Sequence, residues 1–280
     1  MISIGNKNTL RVVKEVDFGM YLDGGEIYGE IHLPLRYVPA DCKPEDEIEV
    51  FIYFDSEDRI IATTETPYAE VNEFALLKCV ASTRVGAFLD WGLSKDLLVP
   101  FREQKVNMVE GNPYLVHIYL DDESTRIVAS AKLDKFLDLF RHQFTENQEV
   151  DLIIADKTDL GYNAIIDESH MGILYHNEVF QSIKKGDQLK GFIKKIREDG
   201  KIDLCLQKGG FEKIDSFAQA LIDDLVDSNG FLDVTDKSSA EEISKRYGVS
   251  KKTFKKAIGT LYKKKLITIE NDGIRLVPTK

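Results

Sequence analysis

One internal order recurs three times along the chain. Val16-Asp17-Phe18-Gly19-Met20-Tyr21-Leu22-Asp23 is followed by Thr83-Arg84-Val85-Gly86-Ala87-Phe88-Leu89-Asp90. A looser third copy, Leu160-Gly161-Tyr162-Asn163-Ala164-Ile165-Ile166-Asp167, has two extra residues before its Asp. A short apolar strand follows each copy, at 31–34, 97–100 and 172–175. A strand pair then closes each unit: 48–54 with 59–63, 115–120 with 126–130, and 188–196 with 201–206. Alternating apolar and polar residues predict five short strands per unit with one face inward. The repeated Gly supplies a bend or bulge, as the corners of a small closed barrel require. A sheet of about 65 residues buries little core, and closing it into a barrel removes its exposed edges. The alternative is three unrelated hairpins in one large β domain. A shared order of four features argues against it.

The expected units are a first barrel at 1–67, a second at 68–147, a third at 148–210 and a different domain at 211–280. Leu133, Phe136, Leu137 and Phe140 lie at helical spacing, which predicts a connecting helix over Ala131 to Phe144. Ala69 to Glu73 forms a shorter first linker. From Phe211 the spacing of Phe211, Ile214, Phe217, Leu221, Ile222 and Leu225 predicts a helix that stops at Asn229-Gly230. Ser238 or Ser239 can cap a helix over 240–247, Gly248-Val249 makes the turn, and Ser250 caps a second helix over 251–265. Asn271-Asp272-Gly273 then joins two short strands. Helix, helix–turn–helix and hairpin wing is the order of a winged helix.

Charge excludes some functions. The net charge of −11 rules out a uniformly basic nucleic-acid coat, though not a local basic face. Residues 1–67 carry six basic against fourteen acidic side chains, whereas 211–280 carry thirteen against eleven. Lys251, Lys252, Lys255 and Lys256 open the second helix of the helix–turn–helix, where they can meet phosphates without reading bases. A merely solvated lysine face opposite Phe254, Ile258 and Leu261 is the plainer meaning. No apolar run approaches the roughly 18 residues of a membrane span. Neither a leader pattern nor a disulfide framework is evident, with only Cys42, Cys79 and Cys205 present. Cytoplasmic residence is the expectation.

Catalysis finds little support. The histidines form no H-x-x-x-H spacing, and the His170…His176 pair is weak as a metal site. Acidic clusters such as Asp121-Asp122-Glu123 sit in expected turns. No phosphate loop or nucleophile elbow appears. No catalytic residue, metal or cofactor is expected. Trp91, the only tryptophan, is open to either a stacking or a packing role.

The three repeats resemble RNA-binding barrels of the ribosomal protein S-one type, a subclass of the OB fold. The third shows the general pattern across its length: Gly172-Ile173-Leu174-Tyr175, Lys185-Gly186-Asp187, then Leu204-Cys205-Leu206-Gln207-Lys208. With Gly230-Phe231-Leu232-Asp233-Val234-Thr235-Asp236-Lys237-Ser238-Ser239 and Phe254-Lys255-Lys256-Ala257-Ile258-Gly259, the whole order resembles the bacterial conserved virulence factor B family. That resemblance implies a non-enzymatic protein that binds single-stranded RNA and influences gene expression. It implies a binding face of two aromatics beside the Gly, a His on the next strand, and an Asp and Arg flanking the last turn. The first barrel matches at Phe18, Tyr21, His32, Asp55 and Arg59. The second keeps Phe88, Asp122 and Arg126, with Val85 and Leu98 at the other places. In the third, Leu160 replaces one aromatic, Tyr162 is displaced, Tyr175 takes the His place, and Arg197 and Lys201 flank the turn. Lys194 and Lys195 belong to a lysine run that makes the third barrel, with the winged helix, the expected electrostatic platform.

The expectation is therefore a multidomain, mainly β protein. Three tandem five-stranded OB barrels precede an α+β winged helix-turn-helix domain. Its partner is single-stranded RNA, with no membrane and no small-molecule substrate, and the chain is a monomer. Two other readings stand beside it: a protein-interaction adaptor on the ribosome or transcription machinery, and a DNA-binding regulator acting through the winged helix. The second lacks a base-reading set, since the helix offers lysines but no Arg, Asn or Gln.

Overall fold

The computed structural model describes residues 2–179, 181–206 and 211–277, divided between two compact units, Met1–Leu139 and Phe140–Lys280. Gln207 and Lys208 of the third repeat lie outside the described residues, as do the side chains of Phe211 and Ile214. The first unit holds two barrels. β1 (Lys7–Val16), β2 (Gly19–Asp23), β3 (Glu30–Pro34), β4 (Glu47–Phe54) and β5 (Ile60–Thr63) close in the order β1-β2-β3-β5-β4, with a one-turn helix α1 (Gly25–Tyr28) between β2 and β3. β6 (Phe74–Ser82), β7 (Gly86–Asp90), β8 (Leu97–Pro100), β9 (Pro113–Leu120) and β10 (Ile127–Ser130) close the same way.

The second unit repeats that topology in β11 (Glu149–Lys157), β12 (Gly161–Ile166), β13 (His170–Tyr175), β14 (Gln188–Ile196) and β15 (Ile202–Cys205). It ends in α2 (Phe211–Asp227), β16 (Phe231–Leu232), α3 (Ala240–Tyr247), α4 (Lys251–Lys263), β17 (Ile267–Ile269) and β18 (Ile274–Leu276), with the sheet ordered β16-β18-β17. Three closed five-stranded barrels and a winged helix are thus the architecture of the described residues.

Each barrel closes because its first strand serves two partners. β1 pairs with β4 through Lys7–Arg11 and with β2 from Val12 onward, and the register shifts between Val12 and Lys14. The same shift occurs at Cys79/Ala81 and at Ile154/Asp156. A bulge there bends and twists the strand, so it can turn the corner between two sheets. The repeated Gly has a second reason beyond bending. A Cβ on Gly19 would stand 2.1 Å from the Leu33 carbonyl oxygen, and on Gly86 2.3 Å from that of Val99. Both also have φ near +150°, a region that L side chains rarely adopt. A Cβ on Gly161 would stand 2.1 Å from the Leu174 carbonyl.

The first two barrels share a core. Phe51 and Tyr53, on the outer side of β4, are buried with Trp91, Leu93 and the interior of the second barrel. Trp91 meets Phe51 edge-on at 5.6 Å, and its indole N–H donates to the Lys95 carbonyl at 2.6 Å. Trp91 therefore has a packing role, 3% exposed.

The Ala131–Phe144 segment does not form the expected helix; it has only a 3₁₀ turn at Leu133–Lys135. Its apolar residues attach to different places instead of one stripe. Leu133 and Leu137 are buried, and Phe136 meets the ring of His117 at 4.1 Å and Tyr119 at 5.1 Å. Lys135 pairs with the buried Glu103 carboxylate at 2.8 Å. Asp138, at φ +56°, then breaks any continuing helix, and Phe140 packs on His170 at 5.0 Å. In the winged helix the sequence signals hold. Ser239 accepts from Glu242 N–H, Ser250 from Thr253 N–H, and Gly248 takes the left-handed cap at φ +63°. Asn229 and Gly230 end α2 at φ +55° and +82°.

Gly86→Ala forces a Cβ against the Val99 carbonyl, and should cost the second barrel at least about 1–3 kcal/mol of backbone strain. Trp91 emission during denaturant unfolding reads it directly. His117, stacked on Phe74 at 4.5 Å, has its pKa pushed by burial from 6.5 down to about 4. The folded barrel thus keeps a neutral imidazole while the unfolded chain takes up a proton. Stability attributable to His117 is full above pH 6.5, falls as pH drops, and levels off near pH 4, a loss of about 3 kcal/mol. His117→Phe should flatten that part of the pH profile; an unchanged profile would show that His117 is not its source.

Candidate nucleic-acid interface

In the first barrel the five expected residues line one groove of about 520 Å³. Strand alternation explains this: Met20 and Leu22 point inward, so Tyr21 points out, opposite His32 on β3. Phe18, on the turn before β2, is 58% exposed and is not core. The three rings form a platform, with Phe18–His32 at 5.3 Å, Tyr21–His32 at 5.5 Å and Phe18–Tyr21 at 6.3 Å. His32 Nε2 is buried beneath this platform with no hydrogen-bond partner among the described residues, so His32 serves as a ring surface. Lys14 lies over the Tyr21 ring at 4.7 Å.

Arg59 grips Asp55 with Nε at 2.9 Å and Nη2 at 2.8 Å across the β4–β5 turn. Burial would raise the Asp55 pKa. The Arg59 N–H, the Arg59 guanidinium and the Glu57 N–H together outweigh it and hold the carboxyl below its ordinary value. The carboxylate stays charged and keeps the guanidinium aimed along the groove.

The second barrel is altered. Phe88 and Leu98 pair across β7 and β8, in the places of Tyr21 and His32. Asp55 N–H donates to the Arg59 carbonyl, and the matching bond runs from Asp121 N–H to Arg126. Asp121 therefore holds the structural place expected of Asp122. The turn is one residue longer, which shifts the alignment, and Asp122 is simply exposed. Asp121 pairs with Arg102 at 3.0 Å, not with Arg126. Arg126 reaches across to Asp58 on the turn of the first barrel. There Phe88, Leu98, Lys95 and Arg126 line a recess of about 240 Å³ whose other wall is Phe54 and Asp58. Sequence reasoning did not find Asp58, Lys95 or this recess, because a repeat pattern carries no information on how two barrels abut.

In the third barrel the register moves the aromatics. Gly161 pairs with Tyr175 as Gly19 pairs with Pro34. Tyr175 therefore stands at the Pro34 place, and Ile173 at the His32 place. Asn163 occupies the Tyr21 position, while Tyr162 faces inward and packs against the core. Arg197 and Lys201 flank the turn as expected, with Arg197 N–H donating to the Lys201 carbonyl. The Arg197 side chain is held by Asp203 at 2.8 Å and by the Tyr175 hydroxyl.

The lysine run is largely engaged. Lys185 pairs with Asp156, Lys190 with Asp151, Lys194 with Glu178 and Lys201 with Asp199. Lys195 is exposed on β14. Surface pairs of this kind leave little net field.

On α4, Phe254, Ala257, Ile258 and Leu261 are buried, which leaves Lys252, Lys255 and Lys256 exposed on the opposite side with Tyr262 and Lys263. Lys255 approaches Asp236 at 3.9 Å, and Lys251 reaches the Lys237 carbonyl at 3.4 Å. His170 Nε2 lies 2.9 Å from the Phe140 carbonyl oxygen, and His176 Nε2 lies 3.2 Å from that of Thr158. Among the described residues no cluster of His, Cys, Asp or Glu is arranged to hold a metal, and no helix is long and apolar enough to cross a membrane.

Comparison with known proteins agrees with this architecture. Residues 4–65, the first barrel, match the S1 domain family. Residues 219–276 match the CvfB-like winged helix domain. The Bacillus subtilis protein YitL is 27% identical over 274 residues, covering 95% of this chain and 91% of that protein. Conserved virulence factor B of Staphylococcus aureus is 29% identical over 255 residues, covering 85% of this chain and 83% of that protein. A crystal structure of a Streptococcus pneumoniae multidomain protein with nucleic acid binding domains covers 98% of both chains at 21% identity and a TM-score of 0.42. With an S1 domain at one end, a CvfB-like winged helix at the other and similarity over most of its length, this chain is similar to the conserved virulence factor B proteins.

Proposed function

We propose that the protein binds single-stranded RNA with weak sequence preference, without catalysing a reaction, and acts as a post-transcriptional regulator of gene expression. The observation that carries this reading is the groove of the first barrel. Three ring faces adjoin one another on an open surface, with an ionised Asp55 holding a guanidinium beside them. Exposed rings in this arrangement suit unpaired bases, which can splay out and stack, whereas bases inside a duplex cannot reach them. The match of this barrel to the S1 domain family, and the resemblance of the chain to conserved virulence factor B, support the same reading. The winged helix adds phosphate contacts through Lys252, Lys255 and Lys256. Joining weak modules on one chain raises their combined affinity.

Fluorescence anisotropy of the intact protein with labelled single-stranded RNA, single-stranded DNA and duplex DNA, over a range of salt, tests this. Single-stranded RNA should bind most tightly, and a preference for duplex DNA would transfer the function to the winged helix alone. Phe18→Ala should weaken RNA binding roughly tenfold, since a stacked base is worth about 1–3 kcal/mol. Replacing Lys255 and Lys256 together with Glu should weaken binding and flatten the log–log salt slope by about 1.4, the share of two phosphates on a single strand. An unchanged slope would remove the winged helix from the interface.

A further inference from the structure

We propose that the recess between the first and second barrels is a second base subsite, which accepts an unstacked, amino-bearing base (adenine, cytosine or guanine) from a strand already held on the first barrel. The proposal rests on the RNA-binding reading and deepens it.

The β4–β5 turn is a wall shared by two sites: Asp55 and Arg59 line the first-barrel groove, and Asp58 lines the recess. Lys95, at the recess, donates to the Asp55 carbonyl. A strand that crosses this turn passes from one site directly into the other.

At about 240 Å³ the recess is smaller than the 300–1,000 Å³ typical of drug-sized ligands, and suits one planar base. Phe88 and Leu98 offer an apolar floor at the register places of Tyr21 and His32. Val85, 62% exposed, stands at the mouth. The recess is thus the second barrel's own outer face, walled on its far side by the first barrel.

The polar groups indicate which bases fit. Lys95 and Arg126 line the recess together with the Asp58 carboxylate, which offsets one of their two charges. Arg126 engages Asp58, and Lys95 approaches it at 3.9 Å, which fixes that carboxylate. Asp96 also lines the recess, and its side chain makes no hydrogen bond or ion pair among the described residues. Burial, then the nearby Asp90, push its pKa up, so a donor from a ligand would relieve it. Carboxylates are acceptors, and pair with the exocyclic amino groups of cytosine, adenine and guanine. Uracil has no such group: its one ring N–H donor on that edge is flanked by two carbonyl oxygens, which repel a carboxylate.

Trp91 is the only tryptophan and lines this recess, so its emission reports occupancy without a label. The intact protein is titrated with 12-nucleotide oligoadenylate, oligocytidylate and oligouridylate, following both Trp91 emission and anisotropy. Adenylate and cytidylate should change the emission and bind at least about fivefold more tightly than uridylate. Asp96→Leu and Phe88→Ala should each reduce that preference to about twofold or less, with melting temperatures held as the control for folding. Phe18→Ala should weaken all three oligonucleotides alike. Binding of all three with silent Trp91 emission and a base preference untouched by Asp96→Leu would overturn the subsite and leave the RNA reading standing. No binding of any oligonucleotide would overturn the RNA reading itself, and the subsite with it. If RNA binds without touching the recess while 8-anilinonaphthalene-1-sulfonate enters it and Phe88→Ala expels the dye, the recess docks an apolar protein segment instead.

Discussion

The burial of Trp91 against Phe51 is the contact on which the first half of the molecule depends. A barrel of this size has a small interior, and ordinarily its outer face is solvated. Here the outer side of β4 is given to a neighbour: Phe51 and Tyr53 leave water together with Trp91 and Leu93. Three buried aromatic rings contribute several kcal/mol of apolar burial. The two barrels are held as one body rather than as beads on a linker. Ser94 reinforces the join by meeting the hydroxyls of both Tyr37 and Tyr53. The placement of Asp58 against Arg126 follows from this packing and does not cause it, because an exposed ion pair alone is worth little.

Much of the fold was legible because barrels of this kind write their constraints into short segments. The Gly at the start of β2 and its counterparts, the alternation in the strands and the Asp55…Arg59 turn each have a local physical reason. So do the Ser239 and Ser250 caps and the left-handed Gly248. The geometry of the candidate groove on the first barrel was legible for the same reason: two strands in fixed register bring Tyr21 opposite His32. What failed did so where geometry is not local. One extra residue in the β9–β10 turn moved the structural Asp from 122 to 121. The third copy slipped because Tyr162 sits directly after Gly161, one place too early to point outward. The linker at 131–144 has helical spacing but serves the separate needs of His117, Glu103 and His170.

Charge gives a comparable lesson. Counting lysines made the third barrel look like an electrostatic platform, but the fold places Asp156, Asp151, Glu178 and Asp199 beside four of them. In the first barrel, Lys14 and Arg59 stand beside the aromatic groove but are paired as well, Lys14 with Glu30 and Arg59 with Asp55 and Glu57. Net charge over a segment of this length is a poor guide to the field at one face, because neutralisation happens over a few ångströms.

The glycine shared by the three barrels has a consequence for how the chain folds. A neighbouring strand's carbonyl fills the space where a Cβ would be, so β2 cannot slide one residue along β3 without a collision. Register is thereby locked within a barrel. The lock, however, is the same in all three, with Gly19 facing Pro34, Gly86 facing Pro100 and Gly161 facing Tyr175. It cannot distinguish a barrel's own strand from its neighbour's. Tandem copies of one topology are prone to exchange strands while they fold. Protection against that exchange must come from speed: each β1–β2–β3 meander is contiguous in sequence and pairs locally before a distant strand can arrive.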